Sequence, residues 1–229
     1  MDRCVPTSFK LMNTSSFGCL IFDCDGTLVD SEMICNEALR IQLEREGFQE
    51  DMSSLLARYR GAKMQNIVDD LQQRHGSRFS HDFVADYRQI VSALFATELR
   101  QVDGIAQALS VMDLPMCVAS SGPVEKIRQA LDVTGLLQYF DGRIFSSYEL
   151  GSWKPEPDLF MFAAKSMGFD PAACAVIEDS EFGIQAATAS KMRSFWYRPD
   201  GTQGPAAAYP GTRVFSAMSQ LPAMIMKAQ

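Results

Sequence analysis

Phe17-Gly-Cys-Leu-Ile-Phe22 is an apolar run of strand length that stops abruptly at Asp23-Cys-Asp-Gly-Thr27. A run that is continuous rather than alternating is suited to burial on both faces, as in a central strand of a parallel sheet. Carboxylates just past its carboxyl end then stand where such sheets present their ligand crevice. Five further runs repeat the pattern: Pro115–Ala119 before Ser120-Ser-Gly-Pro123, Arg143–Ser147, Cys174–Ile177 before Glu178-Asp179, Met192–Tyr197 and Thr212–Phe215. Segments 102–112, 123–133, 157–168 and 180–190 carry apolar residues at three- and four-residue spacing. Strands alternating with helices of this length imply βαβ units, hence an α/β fold with a Rossmann-like, doubly wound parallel sheet.

Residues 32–100 break the alternation, with helical patterns at 32–46, about 51–59, 64–74 and 80–99 and no strand-like run. In the last of these, Phe83, Tyr87, Ile90, Val91, Leu94 and Phe95 form one stripe, the pattern of a core-facing helix. An insertion this long is not a loop. The expected organisation is a polar N-terminal extension at 1–16, a core formed by 17–31 and 101–229, and an inserted α-helical cap domain at 32–100.

Composition narrows the chemistry. With 28 acids against 21 bases the net charge is −7, so there is no chain-wide basic footprint, and neither nucleic acid nor a membrane is expected as a partner. Two histidines, His75 and His81, are too few for a multi-histidine zinc site and leave little for serine–histidine catalysis. No two of the six cysteines have Cys-x-x-Cys spacing, so reduced thiols in a cytoplasmic protein are expected. No run reaches the roughly 18–20 apolar residues of a membrane span. Residues 1–16 also lack the apolar stretch of a secretory signal.

What survives is carboxylate chemistry. Asp23, Asp25, Glu178 and Asp179 all follow buried strands, and four converging acids without counter-charge repel one another. A divalent, oxygen-loving cation resolves this, and Mg²⁺ held by carboxylates together with a substrate phosphate is the natural choice. Lys154, in the stiff segment Trp153-Lys-Pro-Glu-Pro157, is an ordinary surface residue or the cation that balances a phosphoryl group. Ser120 and Ser121, between a strand and a helix, form an anion seat, with N-cap duty as the plainer role for Ser121.

In order, Asp23-Cys-Asp-Gly-Thr-Leu-Val-Asp30, Ser120, Lys154 and Glu178-Asp-Ser180 resemble the four motifs of the haloacid dehalogenase superfamily. The resemblance covers 17–229, and the insertion resembles the helical cap of the branch containing β-phosphoglucomutases and phosphoglycolate phosphatases. Val29–Cys35, Arg60–Lys63, Pro115–Ser120 and Ser152–Pro157 are similar to stretches of enterobacterial 6-phosphogluconate phosphatases. The resemblance implies that Asp23 attacks phosphorus to form an aspartyl-phosphate, while Asp25 serves as acid and then base. It implies a Mg²⁺ set of Asp23, Asp25 through its backbone carbonyl, Glu178 and Asp179. It also implies phosphoryl binding by Ser120, Ser121 and Lys154, and support of the first loop by Thr27, which is grouped with the phosphate- and substrate-binding residues.

Departures within the superfamily discriminate. Dehalogenases and phosphonatases lack the second aspartate that is Asp25 here. β-Phosphoglucomutases carry a histidine where this chain has Cys35, and usually a valine where it has Thr27, so hydrolysis is favoured over isomerisation. The mutase remains the alternative, followed by a signalling phosphoacceptor and a non-catalytic sugar-phosphate binder. Arg60 and Lys63 in the turn between two cap helices, and Arg88 on the long one, are the candidates to select substrate. An arginine suits a sugar-acid carboxylate. The expectation is a Mg²⁺-dependent phosphatase for a small phosphorylated metabolite, 6-phosphogluconate first, in a monomer or weak homo-oligomer.

Overall fold

In the computed structural model, which describes residues 17–59, 61–76, 78–140, 142–202 and 204–227, six parallel strands form one sheet. They are β1 (Cys19–Phe22), β2 (Met116–Ser120), β3 (Ile144–Ser146), β4 (Cys174–Glu178), β5 (Arg193–Tyr197) and β6 (Thr212–Phe215). Their spatial order is β3-β2-β1-β4-β5-β6. β1 therefore lies between β2 and β4, with Phe22 opposite Val118 on one side and Ile177 on the other. The chain builds outward through β2 and β3, then returns to begin again at β4. The carboxyl ends of β1 and β4 thus flank the topological switch point where doubly wound sheets bind ligands. All six apolar runs became strands. The first is shorter than its run, because Phe17 leaves the ladder to pack edge-on against Phe195 with ring centroids 5.9 Å apart.

Eleven α-helices complete the described chain: α1 (Glu32–Arg45), α2 (Met52–Tyr59), α3 (Met64–His75), α4 (Phe83–Glu98), α5 (Ile105–Ser110), α6 (Val124–Val133), α7 (Leu137–Phe140), α8 (Ser147–Leu150), α9 (Asp158–Met167), α10 (Glu181–Ala189) and α11 (Leu221–Lys227). Side chains alternate across the strands, so each sheet face has its own core. Leu20, Phe22, Val118 and Ile177 pack with Ile105, Ile127, Leu131 and Phe140 on one face. Cys19, Ile21, Cys117 and Val176 pack with Leu159, Phe160 and Ala163 on the other. Cys19, Cys24, Cys117 and Cys174 are free and buried, in keeping with their apolar surroundings.

Between β1 and β2 the described chain is helical, and Leu39, Leu43, Leu55, Ile67, Leu71 and Phe83 form a third apolar cluster. The stripe expected on α4 is divided. Phe83 belongs to this third cluster, whereas Ile90, Val91 and Phe95 pack into the first. α4 therefore joins the inserted helices to the sheet. No helix among the described residues is long and apolar enough to cross a membrane. The expected extension at 1–16 lies outside the described residues.

Candidate active site

Asp23 is the first residue past β1, and its backbone N–H donates to the Ile177 carbonyl at 2.9 Å, which extends the sheet ladder into the site. The chain then turns sharply, with Gly26 at φ 78°. A Cβ on Gly26 would lie 2.4 Å from Asp179 Oδ2, so only glycine lets this loop come so close to the acid that follows β4. Asp23 is 6% exposed. Burial pushes its carboxyl up to about 7; the positive charge of Lys154 opposes this, while the charges of Glu178 and Asp25 add to it.

Lys154, before α9, reaches across the sheet end to both acids of the deepest layer. Its ammonium donates to Asp23 Oδ1 and, at 2.7 Å, to Glu178 Oε1. Burial disfavours the ammonium, but the two carboxylates more than compensate and hold its pKa above the usual lysine value. Glu178 Oε2 also accepts the Ser180 N–H at 2.6 Å. α10 passes so close that a Cβ on Gly183 would overlap Glu178 Oε1 at 1.9 Å. Glu178 is thus fixed by a lysine, a backbone amide and a glycine.

Asp25 has partners that sequence reasoning did not foresee. Lys126 of α6 donates to Oδ1 at 2.7 Å and Oδ2 at 2.8 Å, and the Ser31 hydroxyl donates to Oδ1 at 2.5 Å. Burial disfavours the ionised carboxyl, but Lys126 and Ser31 outweigh it and hold its pKa below the usual carboxylate range. Lys126 thus adds a second counter-charge to the four acids, beside the Lys154 that the sequence had offered. One signal was present in the sequence. A lysine in the first turn of a helix runs against the helix dipole and needs a local reason to be there.

Asp179 ends the β4 turn. Its Oδ1 accepts from the Thr27 hydroxyl at 3.2 Å, and its backbone carbonyl accepts from the Trp196 indole N–H at 2.9 Å. Thr27 is fully buried, and its hydroxyl ties the first loop to a carboxylate oxygen of Asp179. Trp196 was also missed, because the apolar run of β5 disguised a polar contact.

Ser120 closes β2, and its Oγ accepts the Gly122 N–H at 3.2 Å. Ser120 and Ser121 stand at the mouth of α6, beside Asp23, Asp25 and Lys154, on the wall of a cavity of about 480 Å³. The inserted helices form its other wall, which includes Cys35, Tyr59, Lys63, Tyr87 and Arg88. The Lys63 ammonium sits 3.6 Å over the Trp153 ring, and the Arg88 guanidinium 5.2 Å over that of Tyr148. Arg60 lies outside the described residues.

The donor set suits a hard cation. Asp23, Asp25, Glu178 and Asp179 offer only oxygen, lie on strand ends and line one cavity. Gly26 leaves the room that brings its loop against Asp179. Burial disfavours the ionised form of Asp23, and a divalent ion beside it would offset that cost. Among the described residues no three such side chains converge as a ready-made cage.

Comparison with known proteins extends this geometry. The chain is 35% identical over 204 residues, 89% of its own length and 92% of the other, to the 6-phosphogluconate phosphatase of Escherichia coli (strain K12). Its fold matches a conserved haloacid dehalogenase-like protein of unknown function from Agrobacterium tumefaciens with a TM-score of 0.78 and 30% identity, covering 93% of this chain and 99% of that one. A haloacid dehalogenase family hydrolase from Deinococcus radiodurans, solved with bound phosphate and sodium, matches with a TM-score of 0.75 and 25% identity, covering 93% and 97%. Residues 20–197 match the description of the haloacid dehalogenase-like hydrolases, and the chain belongs to that family.

Proposed function

We propose that the protein is a Mg²⁺-dependent phosphatase that hydrolyses a small sugar phosphate or sugar-acid phosphate through an aspartyl-phosphate, with 6-phosphogluconate the first candidate. The observation that carries the reading is the cluster at the ends of β1, β2 and β4: Asp23 bonded to Lys154, Asp25 two residues on, and Ser120 beside them. The E. coli phosphatase supports the substrate class.

In this reading Asp23 attacks phosphorus with one carboxylate oxygen, and the P–O ester bond breaks. Asp25, which Lys126 and Ser31 keep ionised in the free protein, takes up a proton when substrate binds, and the departing oxygen takes that proton from it. Asp25 then takes a proton from water as that water attacks the aspartyl-phosphate, which releases inorganic phosphate and regenerates Asp23. Each proton transfer is worth about 10²–10⁴-fold. Ser120, the Ser121 amide and Lys154 bind the phosphoryl oxygens, and Lys154 orients Asp23. Asp23, Asp179 and the Asp25 backbone carbonyl would hold Mg²⁺, with Glu178 reaching it directly or through water. When bound, the ion balances the carboxylates and polarises the phosphoryl group.

Residues 32–100 act as a cap domain over the core of 17–31 and 101–229, and Lys63 and Arg88 meet the distal part of the substrate. The reading includes a monomer or weak homo-oligomer in the cytoplasm. A panel of about a hundred phosphorylated metabolites, read as released phosphate, tests it. Sugar-acid phosphates in the top tier, full inhibition by EDTA and loss of turnover in Asp23→Asn are expected. Undiminished activity in EDTA or in Asp23→Asn overturns it.

A further inference from the structure

Lys126 belongs to none of the motifs that drew attention to the site, yet it binds both carboxylate oxygens of Asp25. Its ammonium spans both carboxylate oxygens, at 2.7 and 2.8 Å. It pays for this position twice. It stands in the first turn of α6, where the helix dipole disfavours a cation. It is also packed between Cys35 of α1 and Tyr87 of α4, away from most of the solvent. Gly122 lies where these groups meet. A Cβ there would touch the Lys126 stem at 3.6 Å, Ser120 Oγ at 3.6 Å and Asp25 Oδ2 at 3.8 Å. Lys126, Asp25 and Ser120 therefore surround one point beside the seat of the phosphoryl group.

The direction of the contact matters as much as its strength. Asp23 is gripped from one side by Lys154. Asp25 is held by Lys126 and by the Ser31 hydroxyl at 2.5 Å, a separate set of donors from the one that holds Asp23. Two donors on Oδ1 and one on Oδ2 leave the carboxyl group little freedom to rotate. A carboxyl that must meet the ester oxygen of a phosphate held by Asp23 and Ser120 needs this restraint, since a displacement near 1 Å can cost about 10²-fold in rate.

We infer that Lys126 is a positioning residue that, with Ser31, holds the Asp25 carboxyl group toward the leaving oxygen of the substrate. Lys126 itself transfers no proton and makes no bond to phosphorus. The inference rests on the reading of Asp25 as the proton carrier, and it assigns to this chain a second lysine whose role differs from that of Lys154. Its consequence is a dependence on the leaving group. Phosphoryl transfer from p-nitrophenyl phosphate expels a stable phenolate and needs little help from Asp25. Transfer from an alkyl phosphate expels an alkoxide and needs that help fully.

The test compares kcat/KM of the wild type, Lys126→Met, Lys126→Arg and Ser31→Ala on 6-phosphogluconate, glucitol 6-phosphate and p-nitrophenyl phosphate at saturating Mg²⁺. This ratio reads only the steps through formation of the aspartyl-phosphate, and so excludes the later hydrolysis that all three substrates share. Lys126→Met is expected to lose about 10²-fold on both alkyl esters. On p-nitrophenyl phosphate it is expected to change by less than about threefold. Lys126→Arg restores part of the loss, and Ser31→Ala shows the same pattern at smaller size.

Equal losses on all three substrates, or none, overturn the inference and leave Lys126 a neutralising partner only. If Lys126→Met fails to fold, judged by circular dichroism, the Ser31→Ala and Lys126→Arg profiles decide by the same criterion. A wild type that hydrolyses none of the three overturns the phosphatase reading and this inference with it. A wild type active on all three with uniform losses in the variants overturns the inference alone.

Discussion

Gly183→Ala places a methyl group where the Glu178 carboxylate stands, 1.9 Å from Oε1 and 2.0 Å from Cδ. Both atoms lie far inside van der Waals contact, and the backbone of α10 cannot retreat without unpacking Ile184 and Ala187, which are fully buried. Glu178 must therefore move. In moving it breaks the 2.6 Å bond from Ser180 N–H and the 2.7 Å bond from Lys154. Buried hydrogen bonds to a charged group contribute about 1.5–3 kcal/mol each. Alanine in place of glycine returns at most about 1 kcal/mol of helix propensity. The net loss is about 2–5 kcal/mol, which for a chain of this size lowers the melting temperature by about 4–20 °C. Turnover should fall by about 10²-fold as well, because Lys154 loses one of the two anchors that aim it at Asp23. Differential scanning fluorimetry and phosphate release on one preparation measure both effects. An unchanged or raised melting temperature with full activity would refute the close approach of α10 to Glu178.

Three further outcomes follow from contacts at the site. Thr27→Val keeps the shape of the side chain but removes the hydroxyl that donates to Asp179 at 3.2 Å; the Mg²⁺ concentration for half-maximal activity should rise by about tenfold, the equivalent of one hydrogen bond. Trp196→Phe leaves the Asp179 carbonyl without its buried donor and should cost about 1–3 kcal/mol in urea unfolding, with an unchanged m-value. The third concerns pH in EDTA. Asp23, whose pKa is raised in the folded protein to about 7, binds a proton more tightly folded than unfolded, so its contribution to stability is present at low pH and is lost as pH rises through about 7. Asp25, with a lowered pKa, works in the opposite sense, and its contribution is lost only below the ordinary carboxylate range. Between pH 5 and 8 the metal-free melting temperature should therefore fall, and Mg²⁺ added at pH 8 should restore it; a rise over that interval contradicts the charge arrangement described here.

Some of this architecture was written locally and some was not. β1, β2 and β4 were legible because each is a short, continuous apolar run, whereas β3, β5 and β6 mix polar residues into theirs and stood out by their place in the alternation. The helices between them were legible from spacing; Asp23, Asp25, Ser120, Glu178 and Asp179 stood out by their places beside those runs, and Lys154 by the prolines that stiffen its segment. α7 and α8 escaped because helices of four residues show too few turns for a period to emerge. Lys126 escaped for a different reason: its partner, Asp25, is 101 residues away, and an ion pair between two helix or strand ends leaves no periodic trace. The Thr27 hydroxyl and the Trp196 indole are alike in this respect. Both meet Asp179 only because the sheet brings β1, β4 and β5 side by side.

The covalent role of Asp23 is most directly tested by trapping it. Wild-type protein mixed with 6-phosphogluconate and Mg²⁺, quenched in acid within milliseconds and digested, should yield the peptide bearing Asp23 with one added phosphoryl group, seen by mass spectrometry and removable by hydroxylamine. Asp23→Asn should show none. Phosphate release that proceeds while the Asp23 peptide stays unmodified at every quench time, or modification that persists in Asp23→Asn, would contradict an aspartyl-phosphate at this residue.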